Sequence, residues 1–421
     1  MPATFVYAID DADIFRHRTM EQILVSQNDK QQFDKDVVIL GGGMVGAATA
    51  IGLAQLGLSV AVIEAYAPQE YAAEQPLDLR VSAISVASEQ LLKRLGAIEA
   101  IAAMRQVAYK GLETWELDGC ITQFHSDQVG ASHLGHIVEN RVVQLALWQA
   151  FTQHGNLELL CPIKVESFAR IDDGVALSLS NGSQMTTRLL IGADGANSQV
   201  RQWAGIGLTG WDYAQSAMLI NIATDTAEQD VTWQQFTPTG PRSLLPLPGN
   251  NASLVWYDDA NRITQLSSLS NEALAQQIKR CFPERLDRGF KVLSKGCFKL
   301  TRRHAQRYYH EHVVILGDAA HTINPLAGQG VNLGFKDVNA LIDTFATAIA
   351  NNRCWWTTEV LADYQSKRYI DNQLMMTTMD LFYASFSNNL LPLKLLRNGA
   401  LKMANLDTPI KHKVLKYAMG L

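Results

Sequence analysis

Several stretches of the chain are apolar at consecutive positions rather than at alternate ones: Val37–Leu40, Val60–Ile63, Leu189–Ile191 and Val313–Leu316. A strand covered on both faces reads this way, so these runs predict inner strands of a parallel sheet. Between the first two lies "AATAIGLAQL", small-sided and helix-prone, with Gly57 suited to end the helix. Residues 83–106 and 140–154 also read as helices, the second through Val143, Leu147 and Phe151. Across 158–191 the pattern changes to alternation, and Asn181-Gly182 marks a hairpin turn. Residues 211–260 are rich in Trp, Tyr, Phe, Gln and Pro, and "AMLINIAT" and "ASLVWYD" predict strands of a separate antiparallel sheet. A helical period returns near Gln329 and continues to the end.

The two kinds of segment alternate along the chain, which predicts an α/β fold with interleaved domains. A Rossmann-like nucleotide-binding domain is expected from 36–110, 136–205 and 300–350. An antiparallel β-sheet substrate domain is expected from 111–135 and 206–299, and a helical region from 351–421. Residues 1–35 hold one short apolar stretch and no basic region ahead of a secretory core, so they read as a disordered extension, with Met1 or Met20 as the start.

Composition narrows the function classes. The 421 residues are 47% hydrophobic and 18% charged, the profile of a globular chain of two domains. A net charge of −5 argues against a nucleic-acid binder. The five cysteines are scattered, with no metal-ligand spacing, which fits a reducing compartment and predicts a cytoplasmic protein without a metal site. The tail departs from this average. Residues 388–421 carry Lys394, Arg397, Lys402, Lys411, Lys413 and Lys416 against one acid, Asp407, with leucines between them. Such a tail is either a capping helix with a solvated face or a contact with the inner face of an anionic membrane.

Candidate chemistry gathers where the buried runs stop. Gly41-Gly42-Gly43-Met44-Val45-Gly46 follows a buried strand, opens a helix and is trailed by Glu64 at the end of the next strand. This is the dinucleotide fingerprint: Gly41 for the turn, Gly43 for close approach of a pyrophosphate, Gly46 for helix–strand packing, and Glu64 for a ribose hydroxyl. The acid favours FAD or NAD over a 2′-phosphorylated dinucleotide. A second loop, "GADGANSQVR", puts Asp194-Gly195 after a strand, either as a ligand contact or as a helix-capping turn. A third, "GDAAHTINPLAGQGVNLG", follows Val313–Leu316. There Asp318 is placed to accept hydrogen bonds from a polyol, Pro325 rigidifies the turn, and Gly328-Gln329-Gly330 presents main-chain N–H groups at a helix start. His321 reads as a packing residue beside that turn.

Taken together and in this order, "GGGMVG…E", "GADGANSQVR" and "GDAAHTINPLAGQGVNLG" resemble the class A flavin-dependent aromatic hydroxylases built like para-hydroxybenzoate hydroxylase. "TWQQFTPTGPRSLLPL", "LTRRHA", "MDLFYASFSNNL" and "LKYAMGL" are similar to the bacterial ubiquinone-biosynthesis hydroxylases, nearest to those acting on demethoxyubiquinol, a polyprenyl benzoquinol. The resemblance runs from about Asp36 to Leu421. It implies FAD as the held cofactor, NADH or NADPH as transient donor, and O₂ delivered to the quinol ring through a C4a-hydroperoxyflavin. It assigns cofactor contacts to Gly41, Gly43, Met44, Val45, Gly46, Glu64, Arg80, Asn140, Asp194, Gly195, Asp318, Pro325, Gly328, Gln329, Gly330, Val331 and Asn332, with Pro325 against the flavin ring. A base that would deprotonate the ring hydroxyl is not named by any motif; His304 and Tyr257 are candidates, each with a structural reading beside it. Trp233, Phe236 and Trp256 are either pocket lining for ring and prenyl chain or sheet core. Three alternatives stay open at this stage: hydroxylation at another ring position, hydroxylation of a soluble phenol, and a flavin-binding assembly subunit without turnover, with other ubiquinone-pathway enzymes as partners.

Overall fold

The computed structural model describes residues 32–286, 289–323, 330–406 and 408–420. The buried apolar runs stand side by side. Their sheet runs Tyr309–His310, Val313–Ile315, Gln184–Gly192, Lys35–Leu40, Val60–Ile63, Leu157–Leu160. The pairings Ile191↔Val314, Val38↔Leu190, Val38↔Ala61 and Val62↔Leu159 are all parallel. An antiparallel extension, Val165–Ile171 and Gly174–Leu179, joins the first half of Gln184–Gly192 through a turn containing Gly182 at φ +83°. Helix Met44–Gln55 lies on this sheet between helices Asn140–Phe151 and Gly330–Ala350. Its small side chains let neighbours close in: a Cβ at Gly52 would sit 2.0 Å from Ile342 Cδ1.

The second sheet has eight strands, in the order His321–Thr322, Phe290–Ala305, Leu208–Thr224, Asn251–Asp259, Arg242–Leu247, Val231–Gln235, Gly111–Trp115, Thr122–His125. Both of its faces are apolar, and strand alternation sorts them. Met218, Ile220, Leu254 and Trp256 pack under helices Ala260–Ser267 and Asn271–Cys281. Ala217, Val255, Tyr257 and Leu300 pack on the opposite side with Ala83, Tyr109 and Ile137 of a three-stranded sheet and with Leu415 and Met419.

Two expectations are corrected here. Residues 83–85 are not helical: Val81–Ser85 is a strand paired with Gly135–Glu139, and the helices are Val86–Arg94 and Ile98–Met104. Ser85 ends the strand and caps the helix by accepting from Ser88 N, and Gly96 at φ +75° separates the two helices. Residues 33–35, expected in the extension, belong to the fold. Lys35 opens a strand, the Asp34 carboxylate accepts from Thr186 N at 2.7 Å, and Arg188 lies over the Phe33 ring. The C-terminal region is helical as expected, over Thr358–Phe386, Leu391–Ala404 and Pro409–Ala418. Among the described residues no helix is long and apolar enough to cross a membrane.

Candidate functional site at the strand ends

The five neighbouring parallel strands end on one side of the sheet, and the three loops read from the sequence leave from there. In the first, Gly41 has φ +104°, and a Cβ on it would lie 2.4 Å from Ala193 O of the second loop. A Cβ at Gly46 would meet Gly41 O at 1.9 Å, so only glycine lets the helix start this close to the strand end. Gly43 is the opposite case, with nothing within 4 Å of the position a Cβ would take. It is the N-cap of helix Met44–Gln55 and supplies no side-chain cap. The first N–H groups of that helix therefore face open space, where an anion is favoured.

Glu64 holds this loop. Its Oε2 accepts from Gly42 N at 2.7 Å and its Oε1 from Tyr66 N at 3.0 Å. Two residues that no motif names complete the support: Trp148 Nε1 and Gln144 Nε2 both donate to Gly42 O, at 2.7 and 2.9 Å. Their spacing of four on helix Asn140–Phe151 puts both on one face. That spacing was the signal available in the sequence. Asn140, at the start of this helix, donates its N–H to Arg80 O, and its Oδ1 accepts from Ser82 Oγ.

The second and third loops are fastened to each other and to the first. Asp194 Oδ2 accepts from Gln199 N at 2.6 Å and Val200 N at 3.3 Å, so the capping reading of this residue holds. Capping uses one oxygen only: Asp194 Oδ1 is buried without a partner. Burial pushes this carboxyl up against the hydrogen bonds from Ser198 and the Val200 and Gln199 N–H groups. Gly195, at φ +80°, has open space beside it. Arg201, 4% exposed, donates to Ala319 O of the third loop at 2.9 Å and to Ala196 O of the second at 3.0 Å. Val45 of the first loop fills the space a side chain would need at Gly317 and at Gly334.

Asp318 is open to solvent at its surface yet recessed in the protein, so desolvation pushes its carboxyl up while His321 and Arg80 pull it back. Arg80 is thus brought to Asp318 across more than half the chain. Gly330 begins helix Gly330–Ala350 with open space where a Cβ would be, and Val331 is half-buried beside it. The Asn332 side chain is turned into the protein. Its amide is consumed by Ala83 O, Ser85 N and Ser88 Oγ, and it ties the helix to strand Val81–Ser85. Pro325, Gly328 and Gln329 lie outside the described residues.

Behind the third loop is a buried polar network that no motif names. The Asp337 carboxylate is fully buried and accepts from Gly317 N, His321 Nε2, Arg368 Nε and Asn372 Nδ2. Burial alone would raise its pKa, but the His321 and Arg368 charges and hydrogen bonds hold it well below the carboxylate range. His321 is accordingly a packing and hydrogen-bonding residue, 3% exposed.

The base candidates do not join the loops. His304 Nε2 hydrogen-bonds Tyr308 OH at 2.8 Å and its ring stacks on Tyr369. Burial, with the His321 and Arg302 charges, brings its pKa down to about 4. It is a neutral member of the network behind the loop. Tyr257 is 1% exposed in the core between the sheets, and burial raises its phenol, so it holds its proton too firmly to serve as a base. Trp233 and Trp256 pack with Phe282 on the helix-covered face of the large sheet. They are sheet core, not pocket lining. Phe236 instead stacks on Phe386 at 4.1 Å, beside Phe382.

Away from the loops, Glu89, His133 and His136 cluster closely enough to suggest a metal. Glu89 accounts for the cluster by hydrogen bonds, 2.8 Å to His133 Nε2 and 2.5 Å to His136 Nδ1.

The strand-end site fits a dinucleotide on its own features. It has an uncapped helix start over open space, an unpartnered buried carboxylate oxygen at Asp194, and at the far loop the Asp318 carboxylate within reach of the Arg80 charge. Comparison with known proteins agrees. Residues 34–377 match the FAD binding domain family. The chain is 49% identical over 387 residues to the 3-demethoxyubiquinol 3-hydroxylase of Escherichia coli, covering 92% of this chain and 98% of that protein. It is 33% identical to the ubiquinone hydroxylase UbiL of Rhodospirillum rubrum, covering 91% of this chain and 89% of that one. In fold it is similar to p-nitrophenol 4-monooxygenase PnpA of Pseudomonas putida, with a TM-score of 0.75 at 19% identity over 91% of this chain and 98% of that one.

Proposed function

We propose a function from one premise: the chain belongs to the FAD binding domain family, among the hydroxylases of ubiquinone synthesis. It is an FAD-dependent monooxygenase that hydroxylates the quinol ring of a polyprenylated ubiquinone precursor, demethoxyubiquinol. The observation that carries the reading is the convergence of the three loops, locked together by Val45 and Arg201. When bound and reduced by NADH or NADPH, FAD supplies the oxygen chemistry.

The chain's own residues bind and orient. The N–H groups that start helix Met44–Gln55 receive the pyrophosphate, and Glu64, already fixed by Gly42 and Tyr66, offers its remaining lone pairs to the adenosine ribose. Asp318, whose charged form the His321 and Arg80 charges favour, would accept from the ribityl hydroxyls. Asp194 Oδ1 and the open main chain at Gly195 would be further contacts for the same cofactor. The start of helix Gly330–Ala350, with its positive end, would favour negative charge on the bound cofactor. No described side chain is assigned as the ring base.

A polyprenyl substrate dissolves in the bilayer, so this reading also puts the enzyme at the inner face of the cytoplasmic membrane, with other enzymes of the same pathway as its neighbours. The test is turnover. FAD-loaded protein is given NADH or NADPH, a short-chain demethoxyubiquinol and isotopically labelled O₂. One labelled oxygen on the quinol ring is the expected product. Hydroxylation of simple soluble phenols at equal efficiency, or NAD(P)H oxidation unaffected by the quinol, would overturn the reading.

A further inference from the structure

Helix Leu391–Ala404 is packed inside out. Its inward stripe, Lys394, Arg397, Asn398 and Leu401, follows the helical period and is mostly polar. Arg397 donates to both carboxylate oxygens of Glu116, at 2.7 and 2.5 Å, and to Ser385 O at 2.9 Å. Asn398 donates to Glu116 and accepts from Leu117 N. Thr122 Oγ1 donates to Leu401 O, and Gln123 N to Asn405 Oδ1. The helix is therefore held to the rim of the large sheet by hydrogen bonds and a buried ion pair. Apart from Leu401, its leucines play no part in this attachment.

The leucines face the other way. Leu391, Leu395, Leu396, Met403 and Leu406 are each 61–71% exposed. The preceding helix adds Ile370, Leu374 and Leu381, spaced to form one stripe and 60–72% exposed. Such an array is far from the single scattered apolar side chains of an ordinary surface. Lys402 is exposed on the same helix, and Lys413 and Lys416 are exposed on the next one, Pro409–Ala418. The acids packed against these helices are already used, Glu116 by Arg397 and Asp380 by Arg302 and Tyr213.

We propose that the outward leucine face of helix Leu391–Ala404, with its accompanying lysines, docks on an anionic phospholipid bilayer. The proposal rests on the hydroxylase reading only for its purpose, delivery of a bilayer-dissolved quinol. The surface itself is argued from packing and charge. A second copy of the chain is the poorer occupant, because pairing this face with itself would bring the two lysine sets together. Leucines bury in acyl chains while lysine heads stay at the phosphate level, which is the chemistry of an interfacial helix.

The experiment is flotation of the full FAD-loaded chain with vesicles of phosphatidylcholine alone or mixed with phosphatidylglycerol, alongside its size in solution. Binding is expected to the anionic vesicles and to fall as salt rises. The double substitution Leu395→Glu with Leu396→Glu should abolish it, and Lys402→Gln should weaken it about fivefold. Both variants lie outside the strand-end site and should keep wild-type turnover of the short-chain quinol. No flotation on either vesicle would overturn the proposal. So would a dimer that the leucine variant dissolves without any change in vesicle binding. Turnover is a separate readout: flotation without turnover supports the surface and removes the hydroxylase reading, and turnover without flotation does the reverse.

Discussion

Asp337→Asn is the most informative single change near the FAD loops. The wild-type carboxylate accepts four hydrogen bonds. Oδ1 receives Arg368 Nε at 2.8 Å and Asn372 Nδ2 at 3.1 Å; Oδ2 receives Gly317 N at 3.0 Å and His321 Nε2 at 2.5 Å. Asparagine has the same shape, but whichever way its amide turns, the NH₂ meets a donor that cannot change role: Gly317 N on one side, where His321 could still turn an acceptor nitrogen to it, or Arg368 Nε on the other. Each buried donor left without an acceptor costs about 1–3 kcal/mol. The Arg368 charge also loses its buried partner, so the total is of order 3–5 kcal/mol. Gly317 precedes Asp318, so a loosened Gly317 should be felt at FAD.

Thermal unfolding of the variant with and without FAD, and fluorescence titration of the apoprotein with FAD, read both effects. A fall in FAD affinity of about tenfold or more is expected, equal to about 1.4 kcal/mol. The acid limb gives a third reading. The folded pKa of Asp337 is depressed, so its contribution is complete above the unfolded value of about 3.9 and is lost as pH falls below that. The variant should lack this part of the acid slope. If Asp337→Asn unfolds within about 0.5 kcal/mol of wild type and binds FAD equally well, the reasoning is refuted.

Other changes probe the neighbouring parts. Gly46→Ala places a methyl carbon 1.9 Å from the Gly41 carbonyl oxygen, which is main chain and cannot yield, so the purified protein should carry little or no FAD by its absorbance spectrum. Trp148→Phe removes one of two donors to Gly42 O and keeps the ring, so FAD affinity should drop by about 0.5–1.5 kcal/mol in a binding titration. His304 is neutral in the fold with a pKa of about 4 and protonates near 6.5 when unfolded, so its share of stability is present above pH 6.5 and lost as pH falls toward 4. His304→Gln should flatten unfolding free energy against pH across that window, and an unchanged slope would count against the assignment.

The strand ends were legible because their signals are local. Continuous apolar runs, positive-φ glycines and an acid at the next strand end all lie within a few residues of one another, and the loops fell where the sequence put them. What fastens the loops was not legible. Arg201 reaches Ala319 and Arg368 reaches Asp337, each over a separation that only the fold closes. Trp233 and Trp256 were ambiguous for another reason. The large sheet is apolar on both faces, so alternation fixes which residues share a face but not which face meets a ligand. Residues 83–85 read as helical because they run without a break into a helical pattern, and their strand partner, Gly135–Glu139, is remote in the chain.

Arg368 and Asn372 belong to the long helix Thr358–Phe386, which lies after every loop of the FAD site in the chain. A fragment ending near residue 350 would contain all the glycine motifs and still leave the Asp337 carboxylate without two of its four partners. The flavin site is therefore not a portable module that could be cut out or exchanged by splicing at its apparent boundary. On a ribosome its last buried charge stays uncompensated until helix Thr358–Phe386 has emerged, so firm capture of the cofactor is set to follow synthesis of the tail rather than of the loops.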